Sequence, residues 1–417
     1  MKVTTGYLFI LICYLFSFQA TAQEKSAPEL YAGFQFWARY NHQNPGSTIG
    51  GEPSDHAVDI SIRRYRFGVR GSLDENINYH FQLGNNNLSN LNPDKAPKLL
   101  DAYIDWKLGD HISLVFGKHA WTGLSRYAAP STFSAMGTDI NFSAAPFLNI
   151  QDDFFRRFGL AAHGTIGKLD YRAVLARPNA NSTAKLGPNA NFINDASAVH
   201  TSAYFKYQFL DKESLASPFS AWTYHGKKQL LNLGFGFSNQ TRSTSSISSL
   251  GDTTIHDARS FAFDIFYERP AFDKMTLTYY TALIHHDLGP DFIRNIGPNN
   301  TADGSDNHVS YNGTGNSFPS VGSGNILLSQ IALMKYFNTK KEKPFAIQTF
   351  FTLELAQLDA LNEQAALYEF GLSYLLDSHK SKLSLSVQDR PIFRQSGGMI
   401  KQTDHREMVI LQYQIRI

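Results

Sequence analysis

The strongest constraint on this chain is side-chain alternation with a period of two, repeated along most of its length. Tyr65, Phe67 and Val69 are interleaved with Arg64, Arg66, Gly68 and Arg70. Near the end, Val409, Leu411, Tyr413 and Ile415 are interleaved with Gln412, Gln414 and Arg416. Successive side chains of an extended strand point to opposite faces, so each segment has one oily face and one wet or charged face. A soluble sandwich also alternates, but its inner face is apolar on both sheets. Charge on the face opposite the oily one is the pattern of a strand with lipid on one side and water on the other.

Residues 1–22 read as a secretory signal peptide: Lys2, an apolar stretch over 7–16 and Ala20-Thr21-Ala22 before the expected cleavage point. The expected mature chain is 23–417. Its one cysteine, Cys13, lies within that leader, so disulfide and thiolate-metal chemistry are not expected. No later run approaches the roughly 18 apolar residues of a membrane helix. A membrane-embedded chain without such helices satisfies its backbone only as a closed barrel. Aromatic residues make up 13% of the chain, which suits interfacial girdles. The net charge of +2 is too small to indicate a partner, and no nucleic-acid partner is expected.

The fold class that follows is all-β, a transmembrane antiparallel up-and-down barrel. About sixteen strands are expected: 30–41, 58–71, 76–85, 98–108, 111–119, 155–165, 168–177, 198–209, 229–239, 259–269, 274–285, 325–336, 345–357, 365–376, 381–391 and 406–417. Joins alternate between short turns, such as 72–75 and 109–110, and long polar loops at 120–154, 178–197 and 286–324. The join 210–228 is long on the short-turn side, and a hairpin there would raise the count to eighteen. Sixteen strands enclose an aqueous lumen, and the chain is too short for a separate plug domain as well.

Parity directs Arg64, Arg66 and Arg70 inward, with Asp101, Asp105 and Lys107, Arg157 and His163, Asp170 and Arg172, Asp264 and Glu268, and Arg390. Cross-strand ion pairing accounts for many of these. Three like charges on one strand face repel unless acids or passing anions answer them, so the Arg64, Arg66 and Arg70 row points to anion attraction. The 120–154 loop holds Trp121, Tyr127, Phe133, Met136, Phe142 and Phe147. Apolar groups in such number require cover, and the barrel interior is the nearest; a lid over the outer rim or against a neighbouring subunit is the alternative. Lys118 and Arg126 stand where a constriction by that loop would begin. No catalytic, metal-binding or cofactor motif is present: His285-His286 and the acids of the 286–324 loop lack ligand spacing.

Four segments, 62–69 (IRRYRFGV), 101–108 (DAYIDWKL), 112–118 (ISLVFGK) and 226–234 (GKKQLLNLG), resemble the porin O and P family, the phosphate-selective porins, in a Bacteroidetes-type form. The resemblance implies a sixteen-stranded homotrimeric channel in the outer membrane of a Gram-negative bacterium, with its third loop constricting the pore. It also implies anion preference from lumen cations, which maps onto Arg64, Arg66 and Arg70 and onto Lys118. The loop departs from the family pattern: Arg126 is its one basic residue, beside Asp139, Asp152 and Asp153. The expected function is passive diffusion of small hydrophilic solutes with a mild preference for anions, phosphate among the candidates. The pore-lining set is Arg64, Arg66, Arg70, Lys118, Arg126, Arg157, Arg172 and Arg390. An enzyme on a barrel wall, with His163 and Asp170 as its only imaginable pair, and a non-channel adhesion or export barrel are the alternatives.

Overall fold

A computed structural model describes residues 27–179, 182, 185–271, 275–306, 309–337 and 344–417, so the signal-peptide expectation lies outside the described residues. Sixteen antiparallel strands close on themselves. They are β1 (Glu29–His42), β2 (His56–Ser72), β3 (Ile77–Leu88), β4 (Lys98–Gly109), β5 (Ile112–His119), β6 (Arg157–Ile166), β7 (Leu169–Arg177) and β8 (His200–Gln208). The second half is β9 (Leu230–Ile247), β10 (Thr253–Pro270), β11 (Met275–Asp287), β12 (Gly324–Phe337), β13 (Phe345–Leu358), β14 (Ala365–Asp377), β15 (Ser381–Ser396) and β16 (Met399–Arg416). Each strand pairs with its chain neighbours, and β1 pairs with β16 from Gly33↔Arg416 to Asn41↔Met408, which leaves no open edge.

The outer wall is apolar. Phe116, Phe263, Leu283 and Phe370 are 68%, 61%, 62% and 60% exposed, as side chains facing lipid must be. The joins at one end, taken as periplasmic, are short except 209–229, and the long loops lie at the other end beside the short joins 248–252, 359–364 and 397–398. Strands β9, β10, β15 and β16 extend further beyond the expected spans than the others. The Thr- and Ser-rich residues past 239 go on pairing outside the apolar band, as far as Ile247↔Thr253.

Sixteen strands, not eighteen, build the wall. The 210–228 segment forms no hairpin among the described residues; it turns into the barrel instead and buries Trp222 completely. The lumen is consequently not water throughout. Tyr127, Met136 and Phe142 of the long loop join Trp222 and the inward residues Phe266, Tyr280, Ile284, Ile326 and Phe350 of β10 to β13 in one apolar cluster. That packing fills the sector under β9 to β14.

Candidate functional site

Residues 120–154 run across the interior, and inward polar side chains satisfy their backbone. Gln35 of β1 donates to the Thr132 carbonyl at 3.0 Å, Gln414 of β16 to Phe133 at 2.8 Å, and Lys382 of β15 to Ala135 at 2.8 Å. Thr138 Oγ1 donates to Glu369 of β14 at 2.9 Å, and Asn141 donates to Glu354 of β13. A chain lying inside a barrel has no sheet ladder of its own, so its carbonyls need such partners. Two glycines make room for it. A Cβ on Gly33 would meet the Phe133 ring at 2.5 Å, and one on Gly236 would meet the backbone of Leu124.

The free space lies on the opposite side, along β1 to β4. A central cavity of about 330 Å³ is bounded by that wall, by Phe133, Phe142 and Phe154 of the loop, and by Ile296 and Pro298 of the loop before β12. It shares Asn86, Asn87, Asn149 and Phe154 with an outer vestibule of about 710 Å³. On the periplasmic side it shares Arg70, His80 and Ser217 with a vestibule of about 480 Å³. The three form one succession from the long-loop end to the short-turn end.

Six arginines line the central cavity, namely Arg63, Arg64, Arg66, Arg70, Arg156 and Arg416, and no acidic side chain does among the described residues. The carboxylates stand behind them. Asp139, from the loop, accepts from Arg63 at 2.9 Å and also from Arg64. Asp101 accepts from Arg156 at 2.8 Å, and Glu29 from Arg70 at 2.7 Å. Arg66 has neutral partners, the Asn85 carbonyl at 2.7 Å and Asn86 Oδ1 at 2.5 Å. Six guanidiniums are thus answered by three carboxylates, which leaves a positive surface turned to the cavity. Burial would raise the Asp139 carboxyl, but Arg63 and Arg64 together hold it below its ordinary value.

Arg63 lies outside the set that parity places in the lumen. Strict alternation from Arg64 sends it outward, where a guanidinium near the membrane midplane costs about 2–4 kcal/mol. A β-bulge resolves the conflict: the β1–β2 register steps from Gln35↔Arg64 to Phe36↔Ile62, so Arg63 and Arg64 both turn inward. The sequence carries a trace of this, because polar residues fall on odd numbers at Asp59 and Ser61 and on even numbers from Arg64 onward.

Of the eight basic residues expected at the pore, Arg64, Arg66 and Arg70 line the central cavity and five do not. Lys118 pairs with Asp153 at 2.8 Å and donates to the Leu99 carbonyl. Arg126 is buried against Glu213. Arg157 binds Asp152 of the loop. Arg172 donates to the Pro218 carbonyl at 3.1 Å and lies over Trp121. Arg390 donates to Asn44 and to backbone carbonyls near the outer rim. The inserted segments supply partners to four of these, Lys118, Arg126, Arg157 and Arg172, whereas Arg390 is held by residues of the outer rim. His163 contacts Asp105 at 3.0 Å and stacks on Trp121, while Asp170 pairs with Lys206 at 2.8 Å, so the two do not meet.

Residues 31–123 match the family of phosphate-selective porins O and P. The matched stretch contains the arginine-bearing strand β2 and the cavity wall formed by β1 to β3. Among solved structures, OprB of Pseudomonas putida in a high-pH form is similar at 10% identity and a TM-score of 0.53, over 94% of each chain. The anion-selective porin of Comamonas acidovorans is similar at 11% identity and a TM-score of 0.51, over 94% of this chain and 99% of that one. At such identities the likeness is one of fold. No curated protein sequence matches the chain. With a closed sixteen-stranded wall and this family match, the chain is a porin-type channel of the Gram-negative outer membrane.

Proposed function

We propose that this porin passes small hydrophilic solutes by diffusion, with a mild preference for anions, through the passage between β1–β4 and the inserted loop. The observation that carries the reading is the six-arginine lining with its carboxylates set behind it. A pore wall lowers the cost of moving a hydrated ion, and the sign of its uncompensated charge biases which ion enters. Arg64, Arg66 and Arg70 are the members of the sequence-derived set that act here, with Arg63, Arg156 and Arg416 added by their position. Small anions, phosphate among them, are the favoured solutes, and the 120–154 loop sets the width of the passage.

The protein is further proposed to assemble as a homotrimer, as the family resemblance implies, with outer-membrane lipid around it. Conductance of the refolded protein in a planar bilayer tests the channel reading. Stepwise ohmic conductance is expected, and deletion of 128–145 should raise each step. A folded barrel that inserts without conducting would contradict it.

A further inference from the structure

A second cluster lies on the outer wall, away from the passage. His42 of β1 and His56 of β2 are directly paired across the two strands, and their rings stack 4.6 Å apart at 29°. Arg39 and Asn41 of β1 and Ser61 of β2 are buried in the interior, so alternation turns the even-numbered His42 and His56 to the outer face. Both stand at the long-loop rim. The carboxylate of Asp55 completes the group: its Oδ2 is 3.1 Å from His56 Nε2 and 3.7 Å from His42 Nε2. One donor atom from each residue lies within 4.8 Å of the other two. A tetrahedral ion with bonds of about 2.0–2.1 Å sets neighbouring ligand atoms about 3.3 Å apart, so only small adjustments separate this arrangement from a coordination shell.

The remaining polar atoms of all three residues are already engaged. Glu407 Oε2 lies 3.1 Å from His42 Nδ1, and the Tyr40 hydroxyl lies 2.7 Å from His56 Nδ1. Arg406 contacts the other carboxylate oxygen of Asp55, Oδ1, at 3.3 Å. Each prospective ligand is therefore oriented from behind, which is how imidazole ligands are held in metal sites. The Arg406 charge counts against a cation, and it is turned to the far oxygen.

We propose that His42, Asp55 and His56 form a site for a borderline divalent cation of the Zn²⁺ class on the outer wall. Two imidazoles and one carboxylate suit zinc, and they supply too few oxygens for calcium or magnesium. Three protein ligands leave a fourth position open to water or to an oxygen donor from outside.

The test is calorimetric titration of zinc chloride into the full chain in detergent, stripped beforehand with a chelator. About one zinc per chain is expected, with affinity reduced about tenfold or more by His42→Ala or His56→Ala. His405→Ala serves as the control, since His405 is a rim imidazole 2.9 Å from Asp389 and outside the cluster. Heat-modifiable gel migration verifies that each variant is a folded barrel, and Asp55→Asn replaces any that is not. Absence of saturable zinc uptake, uptake indifferent to these substitutions, or equal competition by calcium chloride would overturn the proposal.

Discussion

Arg126 and Glu213 form a bidentate ion pair inside the barrel, with both guanidinium–carboxylate contacts at 2.6 Å. Arg126 belongs to the loop entering from outside and Glu213 to the segment entering from the periplasm, so this pair joins the two insertions. Lys206, Asn232 and the Tyr224 hydroxyl also donate to Glu213, and the guanidinium stacks on Phe266 at 3.7 Å. Burial is the largest single influence and opposes both charged forms, but the opposite charges and hydrogen bonds together outweigh it. Glu213, with Arg126 and Lys206 on it, is held well below its ordinary range and Arg126 well above its own. Removing Arg126 takes the bidentate partner from the buried Glu213 and leaves Lys206 as the one cation answering it among the described residues. Arg126→Met should therefore cost about 3–5 kcal/mol in unfolding experiments, and Arg126→Met with Glu213→Leu should recover part of the loss. Equal destabilisation by the single and double variants would show that the pair does not act as a unit.

Acid should loosen the insertions in two stages. His225 and His379 stack at 3.9 Å where the periplasmic segment meets the turn after β14, and His379 donates to the Thr223 carbonyl. Burial keeps His379 neutral, pushing it from 6.5 down to about 3, and lowers His225 well below its ordinary value. A folded-state value below the unfolded one gives stability that is complete above the unfolded value and lost as pH falls. The first loss should therefore begin as pH drops below about 6.5. Asp139 and Glu213, held below ordinary values of 3.8 and 4.5, add a steeper loss below about pH 4.5. Thermal unfolding followed across pH 3–8 checks this, and His225→Gln with His379→Gln should weaken the first stage and leave the second unchanged.

Gly236 tests how the loop is seated. Leu124 takes a left-handed φ of 86°, and its backbone approaches where a Cβ on Gly236 would stand. Gly236→Val forces the loop base away from β9, at a cost of about 1–3 kcal/mol. Faster proteolysis within 120–154, with the barrel still heat-modifiable, is the expected result.

The strands were legible because lipid imposes alternation so strictly; β5, β7 and β13 fall within a residue of their expected spans. Alternation alone cannot register a bulge, which is why Arg63 is missing from the residues that parity places in the lumen. Nor does it reveal which acid answers which base. Arg64 finds its carboxylate on Asp139, 75 residues away in the loop, rather than on the nearby wall residues Asp101 and Asp105. The inward turn of 210–228 was also hidden, although Phe219, Trp222 and Tyr224 in one polar join signal a need for cover. Inward-facing apolar residues such as Tyr280, Ile284 and Phe350 had no place in an open water-filled lumen; they are explained by the insertions packed on them.

The central claim is that unanswered arginine charge biases the passage toward anions, and Arg66 is its cleanest probe. Arg64→Gln would also release Asp139 and disturb the loop, whereas Arg66 holds no carboxylate among the described residues. Reversal potential in a potassium chloride gradient, measured on the wild type and on Arg66→Gln with Arg70→Gln, tests the claim most directly. The wild type should show modest anion preference that fades as salt rises, since the Debye length is about 8 Å at physiological salt. The double variant should shift toward cations. A wild-type preference for cations, or a reversal potential unmoved by the two substitutions, would contradict the claim.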